Sequence, residues 1–210
     1  MAPGLPRISV AETLAEKIVA LQAGALPAAT ARKCEDLLID VVGLCLTARN
    51  EDYIRSALAG CDDDGPCTAI GHRRTLNAAG AAFVNGTAAH GEDFDDTFEG
   101  GPVHAGAVIV PAVLAACERH NPDGRMALIG IAIGTEVLCR LSLVVPKAVH
   151  KAGFHPTAVF GAMGAAAGVG AALGLNARQI VDALGVAGSM AGGIIEYLAE
   201  GAWTKRLHAG

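Results

Sequence analysis

Aromatic residues make up only 4% of the 210-residue sequence and charged residues 18%. So few rings leave little with which to stack unpaired bases. A net charge of −5 with no extended basic run argues against a nucleic-acid surface. None of the six cysteines stands in a CxxC or at zinc-finger spacing from a histidine. Cys45, Cys117 and Cys139 lie in apolar helical stretches. The set reads as small buried hydrophobes in a reducing, cytoplasmic setting. The opening MAPGLPRISVAETLAEK has no apolar run behind a basic start, so no secretory signal is expected. P-loop, GxSxG, HExxH and GxGxxG motifs are all missing.

Apolar residues, by contrast, reach 52%, above the usual ~45–50%. That excludes a disordered chain. The 27 glycines have no Gly-X-Y period, which excludes collagen. At ~150 residues per domain, the length suits one large domain. The mean hydropathy of +0.41 raises the question of a membrane span. The best candidate stretch, Pro156 to Asn176, is mostly Ala and Gly, which insert weakly. A buried helix is the better expectation, with no membrane partner.

Ser9 and Glu12 form a capping box for a first helix, with Leu14, Ile18, Val19 and Leu21 at roughly helical spacing. Pro27 opens a second, striped by Cys34, Leu37, Leu38, Val41, Val42 and Leu44, and Asn50 is expected to cap a third through Leu58. CDDDGPCTAIGHRRTLN carries one short β-like run, Cys67 to Ile70, after a solvated acidic turn at Asp62 to Asp64. Asn77 starts a small-residue helix. AGAVIVPAVLAACERH is the next, with Pro111 expected to kink it or mark its first turn. A long apolar helix follows and breaks before Pro146. In its successor Gly161 and Ala165, and Gly164, Gly168 and Ala172, recur at i, i+4, so that backbones can approach closely. Asn176 and Gln179 form an N-cap pair for a helix ending near Gly192, and EGAWTKRLHAG reads as a loop. Many helices and at most one or two strand-like runs make the expected fold class all-α, a multi-helix bundle-like domain.

Titratable groups concentrate in three loops. The first holds His90, Glu92, Asp93, Asp95, Asp96, Thr97 and His104. Carboxylates this close repel unless a cation, a proton or strong hydrogen bonds relieve them. One reading is a helix N-cap at Asp95 or Asp96. The other is a Mg²⁺ site at Asp93, Asp95 and Asp96, as in all-α prenyl-diphosphate enzymes, although DDxxD and a second acidic motif are missing. The second loop, KAVHKAGFHPT, sets His155 before Pro156 at a helix start, where backbone N–H groups favour anions. His150 and Lys151 read as solvated. The third loop brings Lys205, Arg206 and His208 together behind the single tryptophan. It is either a solvated turn or the cationic part of a carboxylate or phosphate pocket.

HGEDFDDTFEGGPVHAGAVIVPA, AGFHPTAVFGAMGAAAGVGAALGL and GAWTKRLHAG, in this order and spacing, resemble the MmgE/PrpD family. That family includes 2-methylcitrate dehydratase, cis-aconitate decarboxylase and iminodisuccinate epimerase. The resemblance covers nearly the whole chain. It implies a large all-helical domain which, in longer family chains, is joined by a smaller α+β lid. Residues 1–210 then correspond to the N-terminal helical domain, without the lid. By motif, the resemblance implies catalytic roles for Asp93, His104, His155 and Lys205. It implies substrate binding by Thr97, with Arg206 and His208 as neighbouring substrate contacts. His104 is followed by Ala105 and Gly106, where many members carry proline.

The expected activity is a lyase-type reaction on small di- or tricarboxylates: dehydration, decarboxylation or epimerisation. It would run by acid–base chemistry with no metal and no cofactor, and a homodimer is the expected assembly. His104, His155 and Lys205 would hold substrate carboxylates as cations, Asp93 would orient a histidine, and Thr97 would hydrogen-bond substrate. The alternatives are the Mg²⁺ prenyl-diphosphate reading and an inactive helical half that serves only assembly. The 210-residue chain alone is expected to be inactive or nearly so.

Overall fold

A computed structural model describes residues 8–210. The chain forms α1 (Val10–Gln22), α2 (Ala28–Ala48) and α3 (Asp52–Ala59), then strands β1 (Asp64–Thr68) and β2 (Thr75–Leu76). It continues as α4 (Ala78–His90), α5 (Ala105–His120), α6 (Gly124–Val144), α7 (Ala148–Lys151) and α8 (Pro156–Ala172). Last come α9 (Ala177–Met190), α10 (Tyr197–Glu200) and α11 (Thr204–Leu207). The fold is all-α, with one antiparallel strand pair among the described residues.

Side-chain caps set the starts of α1, α4, α6 and α9. The Glu12 N–H donates to Ser9 Oγ while the Ser9 N–H donates to the Glu12 carboxylate. Asn176 and Gln179 repeat this reciprocal pair ahead of α9, and Asn77 accepts from the Gly80 N–H ahead of α4. Asn50 does not cap α3; Glu51 is the N-cap residue, and no side chain bonds there. The strand also lies earlier than the expected Cys67 to Ile70. Asn85 accepts the Ile70 N–H and donates to the Thr68 carbonyl, taking the groups a longer ladder would use. Pro111 stands inside α5, beyond its first turn, and is buried.

The centre is built from α4, α5, α6 and α8. Backbones touch between α6 and α8. A Cβ at Gly130 would stand 2.7 Å from the Gly168 carbonyl oxygen, and one at Gly164 2.8 Å from Leu138 Cβ. The i, i+4 glycines are thus the residues that admit the neighbouring helix. Among the described residues, α6 alone is long and apolar enough by length and composition to cross a bilayer, rather than the stretch from Pro156 to Asn176. Here its Ile129, Ile131, Ile133 and Leu138 are buried in the protein. The shorter α8 is apolar all round because α5, α6 and α9 surround it.

All six cysteines are free, and Cys34, Cys45 and Cys67 are buried. Burial pushes the Cys45 thiol up to about 12, which leaves it unreactive. The tail departs from the expected loop: α10 and α11 are short helices joined through Gly201, whose φ is +68°. Four-residue helices carry no apolar period that a sequence could display. Ala209 and Gly210 then lie against α4, where a Cβ on Gly86 would stand 2.8 Å from the Ala209 carbonyl oxygen. That close approach seats His208 beside the middle of the molecule.

Candidate active site

Four imidazoles from four separate parts of the chain form a row. His90 ends α4, His104 precedes α5, His155 precedes α8 and His208 follows α11. Ring centroids are 5.0 Å apart for His104 and His90, 5.5 Å for His90 and His155, and 5.4 Å for His155 and His208. The His90 and His155 planes are nearly parallel, at 18°. Tyr197 presents its ring edge-on to His155 at 5.5 Å and to His208 at 5.6 Å. His155 Nδ1 lies 3.3 Å from His208 Nδ1, so one ring must donate and the other accept.

The acidic loop between α4 and α5 disperses its carboxylates. Asp95 is buried and its Oδ2 lies 2.7 Å from His90 Nδ1. Its other oxygen lies 3.5 Å from His104 Nδ1. Asp95, not Asp93, is therefore the carboxylate that orients histidine. Asp93 takes the left-handed conformation, φ 58°, and pairs with Lys205. Asp96 accepts the Gly106 N–H at 2.8 Å and so caps α5 from outside, where His104 supplies no side-chain cap. Gly106 is what admits it, since a Cβ there would stand 2.5 Å from that oxygen. Glu92 accepts the Tyr53 hydroxyl at 2.7 Å. With four carboxylates on four partners, no helix starts at Asp95 or Asp96, although Asp96 caps α5 across the loop, and the three aspartates form no shared Asp93–Asp95–Asp96 oxygen site.

Electrostatics revise the expected cationic trio. Burial first, then the neighbouring histidines, pull His155 down to about 3, so it is a neutral imidazole near pH 7. Burial also lowers His90 and His208. Lys205 is lowered by burial and then by Arg206, and its charge faces Asp93. Arg206 is engaged by the protein itself: its Nε donates to the Gly91 carbonyl at 2.6 Å and its guanidinium lies 4.7 Å over the Tyr53 ring. Both contacts make it a clamp between Gly91 and Tyr53. Thr97 is exposed, with Oγ1 3.5 Å from His104 Nδ1. His150 and Lys151 are exposed on α7. His208 also borders a cavity of about 450 Å³ lined chiefly by small residues, including Ala82, Ala158, Ala162, Gly192 and Gly193. Phe94, Ile194, Leu198 and Trp203, each close in sequence to the loops that supply the row, are exposed.

His90, which the residue order shows only as a member of the first titratable loop, sits inside the row. Its signal is a titratable side chain closing an otherwise apolar, small-residue helix. Gly91 behind it has a spatial reason: a Cβ there would fall 2.0 Å from the Tyr53 hydroxyl oxygen.

Residues 12–210 match the family model described as the MmgE/PrpD N-terminal domain. A cis-aconitate decarboxylase-like protein, oryM, of Aspergillus oryzae is 27% identical over 97% of this chain and 45% of its own length. The cis-aconitate decarboxylase of Aspergillus terreus is 28% identical over 77% of this chain and 34% of its own. That of Homo sapiens is 38% identical over 62% of this chain and 27% of its own. The chain thus spans less than half the length of each of these relatives. With the family pattern running through α1 to α11 and the tail, the chain belongs to the MmgE/PrpD family.

Proposed function

We propose that the chain carries acid–base residues of a lyase acting on small di- or tricarboxylates, with decarboxylation of cis-aconitate the first reaction to test. The relatives' names suggest the substrate class. The row of four imidazoles is the observation that carries the chemistry. Breaking the bond to a departing carboxylate sends its electron pair into the neighbouring carbon framework. CO₂ leaves, and a proton must reach carbon. A neutral imidazole offers one N–H and one lone pair, so it can deliver a proton at one nitrogen and recover one at the other. His155 and His208, in contact through their Nδ1 atoms, are suited to that exchange. A substrate carboxylate would compete with Asp93 for Lys205, and His104 and Thr97 stand on the accessible side to receive it. Fixed donors facing charge that develops during the reaction stabilise the transition state more than the ground state.

The exposed Phe94, Ile194, Leu198 and Trp203 support a companion proposal, that a further domain or a second copy covers the row. The test is an NMR screen of the full-length protein against cis-aconitate, 2-methylcitrate, citrate and iminodisuccinate, with and without EDTA. The reading expects one of these to turn over with EDTA present. No turnover of any, or turnover abolished by EDTA, would count against it.

A further inference from the structure

We propose that His90, Asp95 and His104 form a binding site for a transition-metal ion of the zinc class. One ligand atom from each of the three residues lies within 4.8 Å of the others. Asp95 stands between the two rings, with Oδ2 2.7 Å from His90 Nδ1 and Oδ1 3.5 Å from His104 Nδ1. Zinc bonds of about 2.0–2.2 Å in a tetrahedron set ligand atoms roughly 3.3–3.5 Å apart. The spacing of His104 Nδ1 from Asp95 Oδ1 already meets that, whereas His90 Nδ1 approaches the other oxygen, Oδ2, at 2.7 Å, so Asp95 has to bind through both oxygens or turn to offer one, and the His90 contact has to open by about 0.6–0.8 Å.

A second observation points to a missing occupant. His90 Nε2 and Asp95 Oδ1 are buried polar atoms without a hydrogen-bond partner. Such atoms are rare in folded proteins, because each forfeits its hydration without compensation. Asp95 Oδ1 is the oxygen that faces His104 within the proposed ligand set, and a bound ion would satisfy it.

The donor set selects the ion. Two imidazoles and one carboxylate suit Zn²⁺ and its first-row neighbours, whereas Mg²⁺ keeps to oxygen ligands. This is a different site from the all-aspartate one that the acidic loop suggests, since Asp93 and Asp96 are held by Lys205 and the Gly106 N–H. The side chain of His104 is 20% exposed and provides the way in, while His90 and Asp95 are fully enclosed behind it. Three protein ligands leave a fourth position for water or an anion. A bound ion would tie up His104 and Asp95, so zinc should inhibit turnover. That consequence rests on the proposed function; the binding itself does not.

The test titrates Zn²⁺ into untagged, chelator-treated full-length protein in competition with a chromophoric chelator, with Co²⁺ as a spectroscopic stand-in. The expected result is one equivalent bound with Kd below about 10 μM. Asp95→Asn and His104→Ala should each weaken binding by at least about tenfold and abolish the visible Co²⁺ band. His208→Ala, in the row but outside the ligand set, should leave both unchanged. Circular dichroism checks that each variant is folded. Should Asp95→Asn not fold, His104→Ala at its partly open position decides alone. Absence of a one-equivalent site, binding that survives His104→Ala, or displacement by equimolar Mg²⁺ would overturn the proposal. Zinc binding in a protein inert to all four carboxylates would overturn the proposed function and leave the metal site standing.

Discussion

Asp95 Oδ2 lies 2.7 Å from His90 Nδ1, and neither side chain is exposed to solvent. With the carboxylate as acceptor, the contact sets the proton of a neutral His90 on Nδ1 and its lone pair on Nε2. Asp95→Ala removes that acceptor and leaves a buried N–H alone. The expected cost is about 1–3 kcal/mol, read as a lower urea midpoint at unchanged slope. Asp95→Asn, which keeps an acceptor oxygen, should lose less.

Stability should fall on mild acidification. His155 is drawn down to about 3 from an ordinary 6.5, and His90 and His208 are lowered too, chiefly by burial. Below 6.5 the unfolded chain takes up protons that the folded chain refuses. Stability is therefore fully present above that value and is lost as pH falls toward the folded values. Asp96, raised by burial, acts in the opposite sense just above its ordinary 3.8, so the comparison belongs nearer neutrality. Thermal melts should show a lower midpoint at about pH 5 than at about pH 7.5, and a smaller difference in His155→Gln. Equal midpoints in the wild type would contradict the assignment of neutral, buried imidazoles.

Asp96 separates a structural carboxylate from a chemical one. Its Oδ1 takes the Gly106 N–H at the start of α5. Asp96→Ala should cost about 1–2 kcal/mol, the usual loss for an N-cap, whereas Asp96→Asn retains most of the stability. Chemical denaturation of the pair checks this.

Gly91→Ala should also destabilise, although its helical φ of −65° tolerates any residue. The added methyl meets the Tyr53 hydroxyl oxygen at 2.0 Å. Tyr53 is itself held by Glu92 and lies under the Arg206 guanidinium. Overpacking of this kind costs about 1–3 kcal/mol. A melting temperature equal to wild type would show that Tyr53 can move away freely.

Much of this was legible in the residue order, for local reasons. Ser9 with Glu12 and Asn176 with Gln179 are short-range patterns, and the fold reproduces them. Glycines at i, i+4 announced a close helix approach on α8, and α6 is the helix that makes it. The loops bearing His104, His155, Lys205 and His208 were visible as titratable islands in an apolar chain. What stayed hidden depends on side-chain direction. Asp93, Asp95 and Asp96 look alike along the sequence. The left-handed backbone at Asp93 and the packing around it send them to three different partners. Arg206 reads as a ligand for anions until Tyr53 and Gly91 occupy it, contacts more than a hundred residues distant in the chain. The charge state of His155 is hidden for the same reason. Nothing adjacent to His155 in sequence shows the burial and the imidazoles of His90 and His208 that keep it neutral.

The most direct test of the central claim is the turnover of cis-aconitate by full-length His155→Ala, with circular dichroism confirming the fold. A converging acid–base row predicts a loss of about 10²–10⁴ in rate, the range for a general acid–base group. Wild-type turnover in a folded His155→Ala protein would contradict it.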